Sequence, residues 1–456
     1  MKPNSFSITN RAARPILSRR EMLAGLGGLG MMAALPTSAQ ADIVRSGAKP
    51  KNSAQVCIFI NLQGAPSHVD TFDYKAGNAP PGHNIVTNGA ITLNATLFPN
   101  LSALSSNLCL IRSMSSVEEA HPRGQWTVYT GHSSNPAFDN ETPHVGAVVA
   151  SELGVGEFPS FLALNGLPGA GAAFLGGTFA PTVTSGCGFP FFQHNFYGDS
   201  SQQRFNEKFN LLTSLDPSRA APPDSSFSDF QAYYDSAKRM MYDTNISNVF
   251  VCSGSDMARY GSSALGNALL VARQAVQARN GVRFIHVLHQ NWDTHVQMYA
   301  RGYTLAGITA NLWDLSVELD RGLAALINDL KASGDFSRTL IIAVGEFGRT
   351  PGPQNGQAGR DHWKSAMCAL MTGGGVAGGR VIGATDSIGQ VVTDFGWSQN
   401  RNIYPQDIAA TMYSALGIDW GTTITGTPIG TYQYCPIIDD GSLNGETPAP
   451  VNEVFA

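Results

Sequence analysis

The chain has 456 residues, 43% hydrophobic and 14% charged, with a formal net charge of −5 at neutral pH. Such a chain can bury a large core, in one big domain or two smaller ones, and is of neither a collagen-like nor a disordered class. It has no long basic stretch, and a pI of about 6.0 argues against a nucleic-acid partner.

Residues 1–41 read as an export signal. Arg19 and Arg20 follow Ser18 and precede a short apolar run that closes on Ala39-Gln40-Ala41. A basic segment, an apolar segment and a small-residue cleavage site make a signal peptide, and the adjacent arginines place it in the twin-arginine class. Glycines break the run, which is short for a bilayer span. The mature protein, 42–456, is therefore expected to be exported, periplasmic or secreted, with no integral membrane span. Its partner during translocation is the twin-arginine export machinery.

Val56–Leu62 is an unbroken apolar run of buried-strand length, and a Gly/Pro-bearing loop with His68, Asp70 and Asp73 follows it. A second strand is expected around Cys109 and a helix over 144–153. From about 157 to 235 no helical period persists, which predicts a loop-rich insertion of the kind that forms a lid or substrate wall. A helix over 262–279 carries Leu265, Leu269, Ala272 and Val276 on one side, and a strand over 282–288 follows. A long helix from roughly 308 to 330 steps through Ile308, Leu312, Leu315, Leu319 and Leu323, then a strand covers 339–345. Residues 365–374 form a core segment of either type, and 405–417 close as a helix with Pro405 at its start.

Helix and strand alternating at this spacing require crossover connections. The expected fold is α/β, a mainly parallel central sheet with helices on both faces. Ligands in such folds gather at the carboxyl ends of the strands. Six cysteines occur without a CxxC pair, so they read as buried thiols with at most one disulfide. Cys187 and Cys435, in polar stretches, are the candidates for that bridge.

Three runs lead into metal-ligand residue types at those strand ends: Asp293 and His295 in "NWDTH", Glu346 in "GEFGRTP", and Asp361 and His362 in "GRDHW". Carboxylate oxygens with imidazole nitrogens suit zinc, manganese or iron rather than a structural thiolate site. Asp293, His295, Glu346 and His362 are the expected ligands of a divalent metal, zinc or manganese. Arg349 and Arg360 flank them, placed either to bind an anion in a bidentate fork or to pair with the acids.

These stretches, with "CIFINLQGAPSHVDTFD", "GGGVAGGRVIGATD" and "DIAAT" in this order behind a twin-arginine signal, resemble an exported bacterial family, domain of unknown function 1501. The resemblance implies a place near the sulfatases and alkaline phosphatases, with their α/β fold. By that likeness Glu346 takes the carboxylate role of a strand-end Asp-His-Gly step, in which Phe347 stands where a histidine would ligate. His362 falls on a later histidine ligand, Asp293 with His295 looks like another ligand pair, and Asp70 falls near a further metal carboxylate. His121, ten residues before Gly131, occupies the place of the sulfatases' cysteine nucleophile and so reads as a base, a nucleophile or a metal ligand.

The function this implies is metal-dependent hydrolysis of phosphate or sulfate esters, with a small anionic ester as substrate. His121, Arg349 and Arg360 are its expected catalytic residues. The alternative is a catalytically inactive binding or scaffold protein on the same fold.

Overall fold

The structure is a computed structural model that describes residues 42–167, 169–188, 201–215, 238, 244–442 and 445–455. The signal expected over 1–41 and much of the segment 189–243 lie outside the described residues.

An eight-stranded sheet forms the centre. Its strands are β1 (Val56–Leu62), β2 (Leu108–Met114), β3 (Phe161–Leu164), β4 (Thr182–Thr184), β5 (Phe284–His289), β6 (Thr339–Val344), β7 (Met367–Gly373) and β8 (Arg380–Ile382). They lie in the order β8-β2-β7-β6-β1-β5-β3-β4. All neighbours pair parallel except β7, which is antiparallel to both β6 and β2. The mainly parallel α/β fold expected from the sequence is what the chain adopts. The core segment of undecided type is β7.

Every side chain of β1 is buried, yet its two faces serve different cores. Val56, Ile58, Ile60 and Leu62 point to one cluster with helices α3 (Ala264–Ala278) and α4 (Leu312–Ser333). Cys57 and Phe59 point to the other, with α2 (Val145–Leu153) and α5 (Pro405–Ala415). A strand covered on both faces has no polar side to show, so its sequence reads as a continuous apolar run. Local caps set the helix starts. Ser263 accepts a hydrogen bond from the Gly266 N–H at 3.1 Å, and Asn311 from the Asp314 N–H at 2.8 Å.

Three expectations shift. The loop-rich stretch carries β3, which pairs with β5, and β4, which pairs with β3, so both are part of the sheet. Ile308 does not join the long helix. It sits in a short hairpin, Thr304–Leu305 against Ile308–Thr309, because the cap at Asn311 starts α4 one turn later. The disulfide joins Cys187 to Cys252, with Cα atoms 5.6 Å apart, and Cys435 is a free thiol. No helix among the described residues is long and apolar enough to cross a membrane.

Three histidines are packed into this scaffold uncharged. Burial lowers His286 to about 3 and His132 to about 4, and holds His144 well below the ordinary imidazole range, where its Nδ1 accepts from the Gly146 N–H. Their folded values lie below the unfolded value of about 6.5, so the folded chain binds fewer protons at acid pH. The stability they support is complete above about pH 6.5 and is lost as the pH falls towards 4 and 3. Denaturation midpoints should therefore drop steeply between pH 6.5 and 4. His286→Phe should reduce the slope by up to one proton, about 1.4 kcal/mol per pH unit. An unchanged slope would show that His286 does not contribute.

A candidate metal centre at the carboxyl edge of the sheet

Strand direction brings the site together. β1 ends just before Gly64, β5 leads into Asp293 and His295, and β6 into Glu346. β2 runs parallel to them and leads through a short loop to His121, the first residue of helix α1 (His121–Thr130). β7 runs the other way, so its beginning lies at the same edge, and His362 arrives just ahead of it in a hairpin pairing His362–Trp363 with Gly348–Arg349. The ligand atoms of His121, Asp293, His295 and His362 all lie within 4.8 Å of one another.

Asp293 Oδ1 is the hub. It lies 2.9 Å from His295 Nε2, 3.2 Å from His121 Nε2 and 3.6 Å from His362 Nε2. The other nitrogen of each ring faces an acceptor. His121 Nδ1 is 2.7 Å from Glu346 Oε1, His295 Nδ1 is 2.9 Å from Asp361 Oδ1, and His362 Nδ1 is 2.6 Å from the Glu119 carbonyl oxygen. Carboxylates and carbonyls only accept, so each ring places its hydrogen on Nδ1. In the neutral rings, three Nε2 lone pairs and one carboxylate oxygen then converge. A proton on His121 and the Arg349 guanidinium offset the crowding, and once that proton leaves, the donor set is the one a divalent transition metal takes. Histidine ligands are typically oriented in this way, by an acceptor on the far nitrogen.

The charges respond to this crowding. Burial lowers the pKa of His121, but the Asp293 and Glu346 carboxylates outweigh it and lift the group to about 9. Burial raises Asp293, while His121 and Arg349 together pull it well below the usual carboxylate range. Burial and the nearby Arg349 charge both lower His362.

The remaining expected site residues divide. Glu346 is beside the cluster but one step back from it. Its Oε1 accepts from His121, from the Gly64 N–H at 2.9 Å and from Gln125 at 3.2 Å, so it orients His121 instead of joining the four. Asp70 is elsewhere. It is fully buried and bonded to Ser67 at 2.5 Å, to Tyr299 at 2.8 Å and to Arg360 Nε at 2.6 Å. The same pair accounts for Arg360, whose guanidinium is turned into the protein and also donates to the carbonyls of Thr350 and Gly352. Arg349 is at the site, but all five of its N–H groups are spent on Ala65, Arg360, His295, Gly64 and Asp293. Phe347 turns inward between the rings of His121 and His362, with centroids 4.9 and 4.7 Å away.

Asp361 faces solvent and at the same time holds His295. The Glu119 carbonyl leaves no mark in a sequence. Gln125 does leave one, because it stands four residues after His121 on the same helix face.

Two glycines make the close approaches feasible. Gly64 has φ +102°, and a Cβ there would lie 2.5 Å from the Asp293 nitrogen. At Gly359 a Cβ would lie 2.0 Å from the His295 carbonyl carbon, a distance no side chain tolerates. Gly359→Ala must therefore push the 293–295 segment away from His362. Stability should fall by about 1–3 kcal/mol and metal affinity by about 10–100-fold. Gly356→Ala in the same loop, where a Cβ meets nothing within 4 Å, is the control. Metal titration of both variants checks this, and equal affinity in the two would contradict it.

The family model described as "Protein of unknown function (DUF1501)" matches residues 54–433. No curated protein matches the chain by sequence. Among solved structures, the chain is similar to a phosphonate monoester hydrolase from Silicibacter pomeroyi, at 13% identity over 80% of this chain and 73% of that one, with a TM-score of 0.38. It is similar to a lipoteichoic acid synthase from Listeria monocytogenes, at 11% identity over 82% and 74%, with a TM-score of 0.37. A sulfatase from Pseudoalteromonas sp. is similar at 14% identity over 82% and 68%, with a TM-score of 0.35. With its family signature running through every strand that builds the site, the chain belongs to the DUF1501 family of proteins of unknown function.

Proposed function

We propose that the protein is an exported, metal-dependent hydrolase of phosphate or sulfate esters. The observation that carries this is the orientation of the three histidines: each is held at Nδ1 by an acceptor, and each presents Nε2 to Asp293 Oδ1. His121, Asp293, His295 and His362 would hold the ion, zinc or manganese. When bound, such an ion polarises an ester oxygen and lowers the pKa of a water. The chain does the rest. Glu346, Asp361 and the Glu119 carbonyl fix the rings, and Arg349 fixes Asp293 and is not free to grip the substrate. Helix α1 begins at His121 without a side-chain cap, so the partial positive charge of its first turn lies next to that ligand and would favour an anionic substrate.

A second reading has its own observation. Arg349 already supplies a positive charge to the cluster, donating to Asp293 Oδ1 at 2.5 Å and to His295 Nε2 at 3.2 Å. A protein that keeps the fold as a binding or scaffold unit could be balanced in this way without an ion.

Protein purified from its native compartment should contain near-stoichiometric metal by elemental analysis, and the His295→Ala, His362→Ala double variant should contain almost none. Glu346→Gln should weaken metal binding by about 10–100-fold while leaving the fold intact. On a panel of phosphate and sulfate mono- and diesters, the wild-type protein should turn over at least one class with zinc or manganese, and the double variant none. Folded protein with neither metal nor turnover would sink the hydrolase reading in favour of the scaffold.

A further inference from the structure

A second cavity opens at the carboxyl edge of the sheet, on the side of β3, β4 and β5, with a volume of about 730 Å³. We infer that it binds a small amphiphilic amine, an ammonium head on an apolar body. This does not rest on the metal reading, since none of the four clustered ligands lines the cavity.

The body of the cavity is apolar. Leu265 of α3, Leu288 of β5 and Leu315 of α4 form its floor, and Val183 and Ile308 stand at its mouth. The last two are 52% and 54% exposed, an arrangement that costs free energy until something apolar covers them. The hairpin that carries Ile308 closes one side.

The polar end is built from His289 and Glu318. His289 is 5% exposed, and its Nδ1 accepts from the Trp292 indole N–H at 3.2 Å. An indole nitrogen only donates, so the histidine hydrogen sits on Nε2. Nε2 lies 3.4 Å from Glu318 Oε2 but makes no hydrogen bond. The unsatisfied atom is thus His289 Nε2, and the Glu318 carboxylate beside it, 28% exposed, stays open to a ligand. Glu318 and His289 are the ionisable side chains among the described residues lining the cavity, and no lysine or arginine is among them. A buried wall of leucines with one partly exposed carboxylate at its end, which has no cationic side chain beside it among the lining residues, selects a cation attached to a hydrocarbon. It discriminates against a carboxylate head by like-charge repulsion and against a neutral head by the missing charge-assisted hydrogen bond.

The test is calorimetric titration of the full chain with hexylammonium, hexan-1-ol and hexanoate, three probes that share a body and differ in the head. Hexylammonium should bind at least tenfold more tightly than hexan-1-ol, and hexanoate more weakly than either. Glu318→Gln should reduce the preference for hexylammonium over hexan-1-ol to less than threefold. Ile308→Trp, which fills the mouth, should weaken all binding. The inference is overturned if the wild-type chain binds the three probes alike, binds none of them up to their solubility limits, or keeps its preference for hexylammonium in Glu318→Gln.

Discussion

One buried guanidinium ties the site together. Arg349 is wholly shielded from water, and its five N–H groups reach three stretches of chain that are far apart in sequence. They bond the carbonyls of Gly64 and Ala65 after β1, the Arg360 carbonyl in the hairpin before β7, and Asp293 and His295 after β5. Burying an arginine costs several kcal/mol unless every donor and the charge are matched, and here both are. Only a planar fork of five donors serves all these partners, which a lysine could not replace. The position of Arg349 follows from β6, which delivers it just past its carboxyl end.

The rest of the site depends on this anchor and on strand direction. Seven strands of the sheet run the same way and one runs back, so loops after β1, β2, β5 and β6 and the loop before β7 meet at a single edge. A second ion pair, Asp70 with Arg360, is fully buried and holds the hairpin loop that carries Asp361 and His362. Both arginines thus pair with acids, Arg349 with Asp293 and Arg360 with Asp70, and neither is left free to fork an anion. Both are supports for the loops. The open positions towards solvent are those of Asp293, His295 and His362, whose side chains are 42%, 35% and 27% exposed.

Much of this was legible in the sequence, for a physical reason. Strands covered on both faces must be apolar throughout, which is why β1 and β6 stand out as runs, and polar residues just beyond them can only be at the sheet edge. Asp293, His295 and His362 were readable in that way. What was not readable depends on direction and on long-range pairing. The run of β7 carries no sign of being antiparallel, and nothing local separates Asp70, which pairs inside, from Asp293, which faces the cluster. Glu346 has the right residue type and the right strand end, but its Oε1 is claimed by the Gly64 amide and Gln125, contacts that appear only once three elements are packed. Cys252 sits in an apolar stretch that looks like core, and its partnership with Cys187 is settled by the approach of two segments 65 residues apart.

The central claim is that three imidazoles and one carboxylate share a metal ion. X-ray absorption at the metal edge of protein loaded with zinc tests it most directly. The account predicts a first shell of nitrogen and oxygen at about 2.0–2.2 Å, with the multiple-scattering pattern of three imidazoles. A shell with sulfur at about 2.3 Å, or one of oxygen alone without imidazole scattering, would contradict it.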